Sequence, residues 1–246
     1  MAKIGAIVQA RMGSSRLPGK VLSDIAGQTA LERVVRRVRR FGGVDEVVVA
    51  TSVAAGDDAV AAECDRLRVA CFRGSEHDVL ERFRQVAARF AADVCVRVTA
   101  DCPLIDPGVS GDIIARFLAA DLPVDYASNK IPQSFPRGLD TEVFTRSALE
   151  RAAARAAQPY ERAHVTIHMY EHPDEFRLLS VTSDMDRADW RWTVDAPEDL
   201  AFVRAVYERL GQGNDFSWLD VVALLTREPD LRSINAHVVQ KPVRSG

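Results

Sequence analysis

An α/β fold built on a mostly parallel central sheet is predicted by two features of this sequence. Short apolar runs alternate with helical patterns through the first half of the chain. Such alternation implies parallel strands joined by right-handed crossovers. Loops rich in glycine and charge leave the ends of those runs, where ligands of open α/β sheets bind. The segments 11–20, 51–57 and 100–107 are therefore the first candidates for a functional site.

Each element has its own justification. IGAIVQA (4–10) is an apolar run followed by a glycine-containing loop and reads as a buried strand. From Thr29 the apolar period becomes 3.6, with Leu31, Val34, Val35 and Val38 on one face, until Gly42-Gly43 stops the helix. Arg33, Arg36, Arg37, Arg39 and Arg40 lie around the rest of that helix and are expected to form a solvated face. VDEVVVAT (44–51) is a second buried strand, and DDAVAAECDRL (57–67) a helix with acidic residues in its first turn. RVACF (68–72), DVLERFRQVAARF (78–90), ADVCVRVTA (92–100) and PGVSGDIIARFLAA (107–120) continue as strand, helix, strand and helix. KIPQSFPRGL (130–139), with two prolines and a glycine, reads as a loop lining a pocket or facing a partner. Helices are expected at 146–157 and about 160–171, strands at 176–182 and 190–194, and an amphipathic helix at 196–210. SWLDVVALLT (217–226) closes the fold. No repeat or linker divides the chain, so one domain is expected. Its parts are a first portion of about 1–128, an inserted subregion of about 129–189, and a C-terminal portion of 190–246.

Composition narrows the function. A net charge of −3 over 246 residues argues against a dedicated nucleic-acid binder. The N-terminus has one lysine and a seven-residue apolar run, too short for a signal h-region with a cleavage site, and no run approaches a membrane span. Cys64, Cys71, Cys95 and Cys102 make no C-x-x-C pair, which fits reduced thiols in a cytoplasmic protein.

The stretch VQARMGSSRLPGKVL (8–22) looks like a misspelled P-loop. Gly13 and Gly19 are separated by five residues rather than four, and Val21 stands where a magnesium-binding hydroxyl belongs. Yet Arg11, Arg16 and Lys20 place three cations at the end of a strand. Gly13, Ser14 and Ser15 let the backbone approach a ligand and offer donors. Oriented amides and paired arginine contacts suit a triphosphate. A charged surface turn is the plain alternative. Carboxylates for a hard cation are sought at strand ends for the same reason. Asp101 follows the strand in RVTADCPLID, and Asp195 follows the apolar run in WTVDAPEDL. Their ordinary roles would be an Asx-turn for Asp101 and a helix N-cap for Asp195.

These segments carry a resemblance. QARMGSSRLPGKVL resembles the A-R-x-x-S-x-R-L-P-x-K signature of the nucleotide-sugar cytidylyltransferases, which activate sialic acids and 3-deoxy-octulosonate with CTP. TADCPLID is similar to that family's GDxPLI element, and TVDAPEDL to its IDTPEDL element. CFRGSEHDVLERF, DYASN, FPRGLDTEVF, ERAHVT and RWTVDAPEDL extend the likeness over nearly the whole chain, toward the spore coat polysaccharide biosynthesis protein F group. The resemblance implies a Rossmann-like nucleotide-diphospho-sugar transferase (GT-A-like) fold with an inserted subregion. It implies transfer of CMP from CTP to a sugar acid or related hydroxyl compound, in surface polysaccharide or glycoconjugate biosynthesis, and commonly a homodimer. Magnesium would be held by Asp101 and Asp195, with Arg11 and Lys20 as catalytic cations. Nucleotide contacts would fall on Ala10, Arg11, Met12, Gly13, Ser14, Arg16, Lys20, Arg73, Thr99 and Asp101. Arg73 alternatively makes a structural ion pair. Arg137, Asp140, Glu142 and His164 are candidate acceptor contacts, against a hairpin with surface charges. The chain departs from the sialate enzymes at Thr99-Ala100, where they carry a small pair such as Gln-Gly, and the sugar-acid pocket does not map onto 130–180.

Three further signals are set aside. His164, His168 and His172 recur every four residues, but no H-E-x-x-H motif accompanies them, so a structural or solvent-facing stripe is expected rather than zinc. Asp184 and Asp186 match the D-x-D of glycosyltransferases that use a preformed nucleotide sugar, the nearest rival function, yet TSDMDRADW reads as a turn. Trp190 and Trp192 read as core packing. A non-catalytic nucleotide-binding protein is the other alternative.

Overall fold

The computed structural model describes residues 2–241. The first strand, β1 (Ile4–Gln9), enters a loop closed by a 3₁₀ turn at Lys20–Leu22. A small hairpin, β2 (Asp24–Ile25) and β3 (Gln28–Thr29), leads into α1 (Ala30–Val38), whose N-terminus is capped by the Thr29 hydroxyl. There follow β4 (Glu46–Ser52), α2 (Asp58–Leu67), β5 (Ala70–Gly74), α3 (Val79–Arg89), β6 (Val94–Thr99) and α4 (Pro107–Leu118). The second half contains β7 (Tyr126–Ser128), β8 (Glu142–Thr145), α5 (Arg146–Arg155), α6 (Pro159–Ala163), α7 (Ile167–Glu171) and β9 (Leu178–Ser180). Helices α8 (Pro197–Arg209), α9 (Trp218–Arg227) and α10 (Asp230–Ser233) complete it.

Seven of these strands form one sheet in the order β5-β4-β1-β6-β8-β7-β9. The pairs β1–β4, β1–β6, β4–β5 and β7–β9 are parallel, and β8 runs against both its neighbours, so the sheet is mostly parallel as predicted. Helices cover both faces. Ala6 and Val8 of β1 face a core with α1, α4 and α8, while Ile7 between them faces a second core with α3, α5 and α7. The chain steps outward from β1 to β4 and β5, then returns to place β6 on the other side of β1. The reversal opens a crevice at the carboxyl ends of β1 and β6. The loops 10–20 and 100–106 leave from there.

Three expectations need correction. Residues 190–194 are not a strand: only Arg191 makes an isolated bridge, to Arg137. The segment is pinned instead by backbone bonds from Arg137 to the Trp190 carbonyl, from Trp192 to the Arg137 carbonyl, and from Val194 to the Asp101 carbonyl. The single helix expected over 160–171 is two, α6 and α7, broken at Val165 with φ 63°. The arginine face of α1 is only partly solvated. Arg33 and Arg37 are fully buried, over the rings of Tyr207 and Phe216, and donate to backbone carbonyls including those of Ile25, Ile105, Gln212 and Phe216. Periodicity within one helix does not reveal that residues 207–216 cover its far side. Guanidiniums tolerate such burial because several carbonyls satisfy their donors.

Candidate active site

The loop after β1 is held in shape by its own backbone and by one buried carboxylate. Gly19, at φ 72°, donates to the Met12 carbonyl and turns the chain back toward the sheet. Asp57 accepts from the Met12 amide at 2.6 Å with one oxygen and from the Ser52 amide with the other. Burial opposes its charge, but these amides and the Ser52 hydroxyl hold its pKa below the usual carboxylate value. Asp57 thus ties the loop to the end of β4, a role hidden behind its helix-start appearance in the sequence.

Lys20, at the end of this loop, joins the two distant aspartates. Its ammonium lies 2.7 Å from Asp101 Oδ2 and 2.6 Å from Asp195 Oδ1. Both carboxylates are therefore within twice that reach of one another, far inside a nanometre. Burial alone would lower the lysine pKa, but Asp101 and Asp195 outweigh it and raise it, so the side chain stays cationic. Burial likewise opposes the charge of Asp195, and Lys20 with Arg191 and Arg16 holds it low. Arg16 approaches Asp195 at 2.9 Å and Arg191 at 2.8 Å.

Asp195 reaches the crevice because the segment before α8 docks on the β6 end. The Val194 amide and the Thr193 hydroxyl both bond the Asp101 carbonyl, at 2.7 and 3.1 Å. Gly138, at φ 110°, lets residues 137–138 pass directly beneath; a Cβ there would sit 2.7 Å from the Thr193 nitrogen. The N-cap role for Asp195 is overturned. Asp199 turns back and accepts from the Asp195 and Ala196 amides, which leaves the Asp195 carboxylate facing the cleft.

These groups line one cleft of about 620 Å³. Arg11, Gly13, Ser14, Ser15, Arg16, Lys20, Thr99, Asp101 and Asp195 are among its lining residues. Arg137, Asp140, Glu142 and His164 line the same cleft, although they are spread over 137–164 in the chain. Ala10 is buried beneath the loop, and Met12 packs beside Gly19. Arg73 takes the ion-pair option: it bonds the Ser52 and Ala54 carbonyls and lies 2.7 Å from Asp58. Asp184 and Asp186 are exposed in a turn in which Asp186 accepts from the Ala188 amide, away from the cleft lining.

Several cleft residues were not singled out from the sequence. Arg97, Lys130, Gln9 and Tyr170 also line it. Arg97 was visible as the one charged residue in the apolar run VCVRV of β6. It pairs with Glu142 of β8, and Glu142 also accepts from Tyr126 at 2.8 Å and Thr166 at 2.5 Å, with Lys130 at 3.5 Å. Burial works against the Glu142 charge, but Lys130, Arg97 and the two hydroxyls hold its pKa at about 2. The C-terminal tail also returns to the loop. Arg16 donates to the Val239 carbonyl, Lys241 donates to the Ser15 hydroxyl at 2.9 Å, and Arg191 donates to Gln240 at 2.6 Å. No local pattern in the sequence indicates that return.

A cation-lined loop facing Asp101 at the end of β6 and Asp195 just before α8, across a switch point, defines a nucleotidyltransferase on the nucleotide-diphospho-sugar transferase fold. The comparisons carry this one step further. The cytidylyltransferase family model matches residues 5–218, and the chain belongs to that family. An uncharacterised protein of Methanocaldococcus jannaschii is 35% identical over 98% of both chains. The spore coat polysaccharide biosynthesis protein SpsF of Bacillus subtilis is 33% identical, covering 91% of this chain and 94% of that one. The solved structure of a cytidylyltransferase from Leptospira borgpetersenii superposes with a TM-score of 0.91 at 29% identity, over 98% of this chain and 100% of the other. Among the described residues no helix is long and apolar enough to cross a membrane.

Proposed function

We propose that this cytidylyltransferase moves CMP from CTP to a hydroxyl of a sugar-acid-like acceptor and releases pyrophosphate, with magnesium held by Asp101 and Asp195. The observation that carries the reading is the convergence of both carboxylates on the Lys20 ammonium, beside Arg16. A place where two carboxylates already surround one positive charge suits a hard dication. The two side chains are partly exposed, at 22% and 17%, so waters can complete an octahedral shell. When bound, magnesium would neutralise and polarise the phosphate oxygens.

The remaining work falls to the chain itself. Arg11, Arg16 and Lys20 would grip the triphosphate and stabilise charge on the departing pyrophosphate. Lys241 adds a cation from the tail beside Ser15. Gln9, Arg97, Lys130 and Arg137 offer donors to the acceptor, and the cations there outnumber Asp140 and Glu142, which supports an acidic substrate. Glu142, ionised and buried, orients Arg97 and Lys130; at a pKa of about 2 it is too weak a base to take the acceptor proton. The same reading takes the enzyme to be cytoplasmic, to serve surface polysaccharide synthesis, and to work as a homodimer through residues 129–189. Pyrophosphate release is the test, measured with each of the four nucleoside triphosphates against a panel of sugar acids. Turnover with CTP and an acidic sugar supports the proposal. CTP binding without release from any acceptor would refute it.

A further inference from the structure

Beyond the cleft, the break in the 160–171 segment rearranges the histidines that the sequence aligns in one stripe. The left-handed Val165 turns His164 into the cleft lining and leaves His168 and His172 one helical turn apart on α7 and its cap. Their rings lie 4.2 Å apart between centroids. The turn also folds α6 back, so that Glu161 meets His168 with 2.6 Å between Oε1 and Nδ1. An acidic partner thus arrives from seven residues upstream, a spacing that no H-E-x-x-H search would find.

We propose that His168 and His172, the first oriented by Glu161, form a second cation site, distinct from Asp101 and Asp195, that takes one zinc-class transition-metal ion. The candidate ligand atoms of the three residues lie within 4.8 Å of one another, and waters would complete the shell about the two imidazoles. Imidazole donors favour that class of ion over magnesium. The hydrogen bonds point the same way. His172 Nδ1 lies 2.8 Å from the His168 carbonyl, which only accepts, so Nδ1 carries the proton and the neutral ring keeps its Nε2 lone pair for a ligand. His168 Nδ1 is fixed by the Glu161 carboxylate, whose other oxygen accepts from the Ala157 and Gln158 amides at 2.9 and 2.8 Å. Metal-binding histidines are typically held through their second nitrogen by a carboxylate or carbonyl in this way. Most telling is His168 Nε2: the residue is 6% exposed, and that nitrogen has no hydrogen-bond partner. A buried nitrogen without a partner is a cost that a cation would remove.

The placement gives the site a purpose. Between Glu161 and His172 the chain forms only two five-residue helices, yet it carries Thr166, bonded to Glu142, and the cleft residues His164 and Tyr170. A cation there fastens this wall of the acceptor pocket.

The experiment uses the full chain without a polyhistidine tag, stripped by chelator and titrated with zinc alone in millimolar magnesium against a chromophoric competitor. One equivalent should bind at micromolar affinity or tighter, and cobalt in its place should give visible bands. His172→Gln, a partly exposed position that leaves the fold intact, should weaken zinc by at least ~100-fold and abolish the zinc-dependent rise in Tm. Asp101→Asn should leave both unchanged. Zinc that fails to bind, that survives His172→Gln, or that is lost in Asp101→Asn overturns the assignment. None of these outcomes depends on turnover, so the site stands or falls apart from the proposed reaction.

Discussion

Replacing Glu142 by glutamine removes a charge that four groups surround. The side chain is buried, paired with Arg97, and bonded by Tyr126 and Thr166. Its pKa falls from an ordinary 4.5 to about 2. At about 1.4 kcal/mol per pH unit, the folded state favours the ionised carboxylate by roughly 3 kcal/mol. An independent estimate agrees: breaking one partner of a buried ion pair costs about 3–5 kcal/mol, because the other charge is left uncompensated. For a chain of this size about 3 kcal/mol corresponds to a Tm loss of roughly 6–12 °C. The pH dependence has a fixed sign. A depressed carboxylate pKa contributes stability that is full above pH 4.5 and is lost as pH falls toward 2. The gap in Tm between wild type and Glu142→Gln should therefore be constant from pH 8 to 5 and close below about 4.5. Thermal unfolding followed by circular dichroism across that range measures both. The Arg97→Gln, Glu142→Gln double variant should lose less than the two singles added together. Equal Tm values at pH 7, or a gap that persists unchanged into acid, would show that the buried pair does not hold the β6–β8 seam.

Other outcomes follow from the cleft geometry. Gly138→Ala puts a Cβ 2.7 Å from backbone at a φ of 110°, so the fold should lose at least ~2 kcal/mol, read from urea unfolding; an unaffected midpoint would contradict the close approach. Lys241→Met, or removal of residues 236–246, should raise KM for the nucleotide about fivefold with kcat within twofold, since an exposed cation contributes modestly. A change confined to kcat would place the tail elsewhere in the cycle. Asp101→Asn and Asp195→Asn should each lower kcat by at least ~10² without shifting Tm by more than a few degrees, in initial-rate assays with saturating magnesium.

Much of this architecture was legible locally. The strands β1, β4 and β6 are apolar runs long enough to stand out, and the helices between them carry a clear 3.6 period. The loop cations and both cleft aspartates were visible because they directly follow such runs. What escaped was set by distant chain. WRWTV alternates like a strand, but its backbone bonds go to Arg137 and Asp101 instead of a ladder. β7 and β8 have three and four residues, too few to display a period of two. Arg33 and Arg37 read as surface until Tyr207 and Phe216 close over them. Asp199, not Asp195, satisfies the amides at the start of α8, a choice among nearby carboxylates that spacing does not decide.

In the proposed reaction Asp101 and Asp195 share one dication with the nucleotide, and manganese reports that sharing directly. Electron paramagnetic resonance should find one Mn²⁺ per chain, taken up more tightly when CTP is present, with affinity falling by at least ~10² in Asp101→Asn or Asp195→Asn. Undiminished uptake of manganese with CTP by both variants would contradict it.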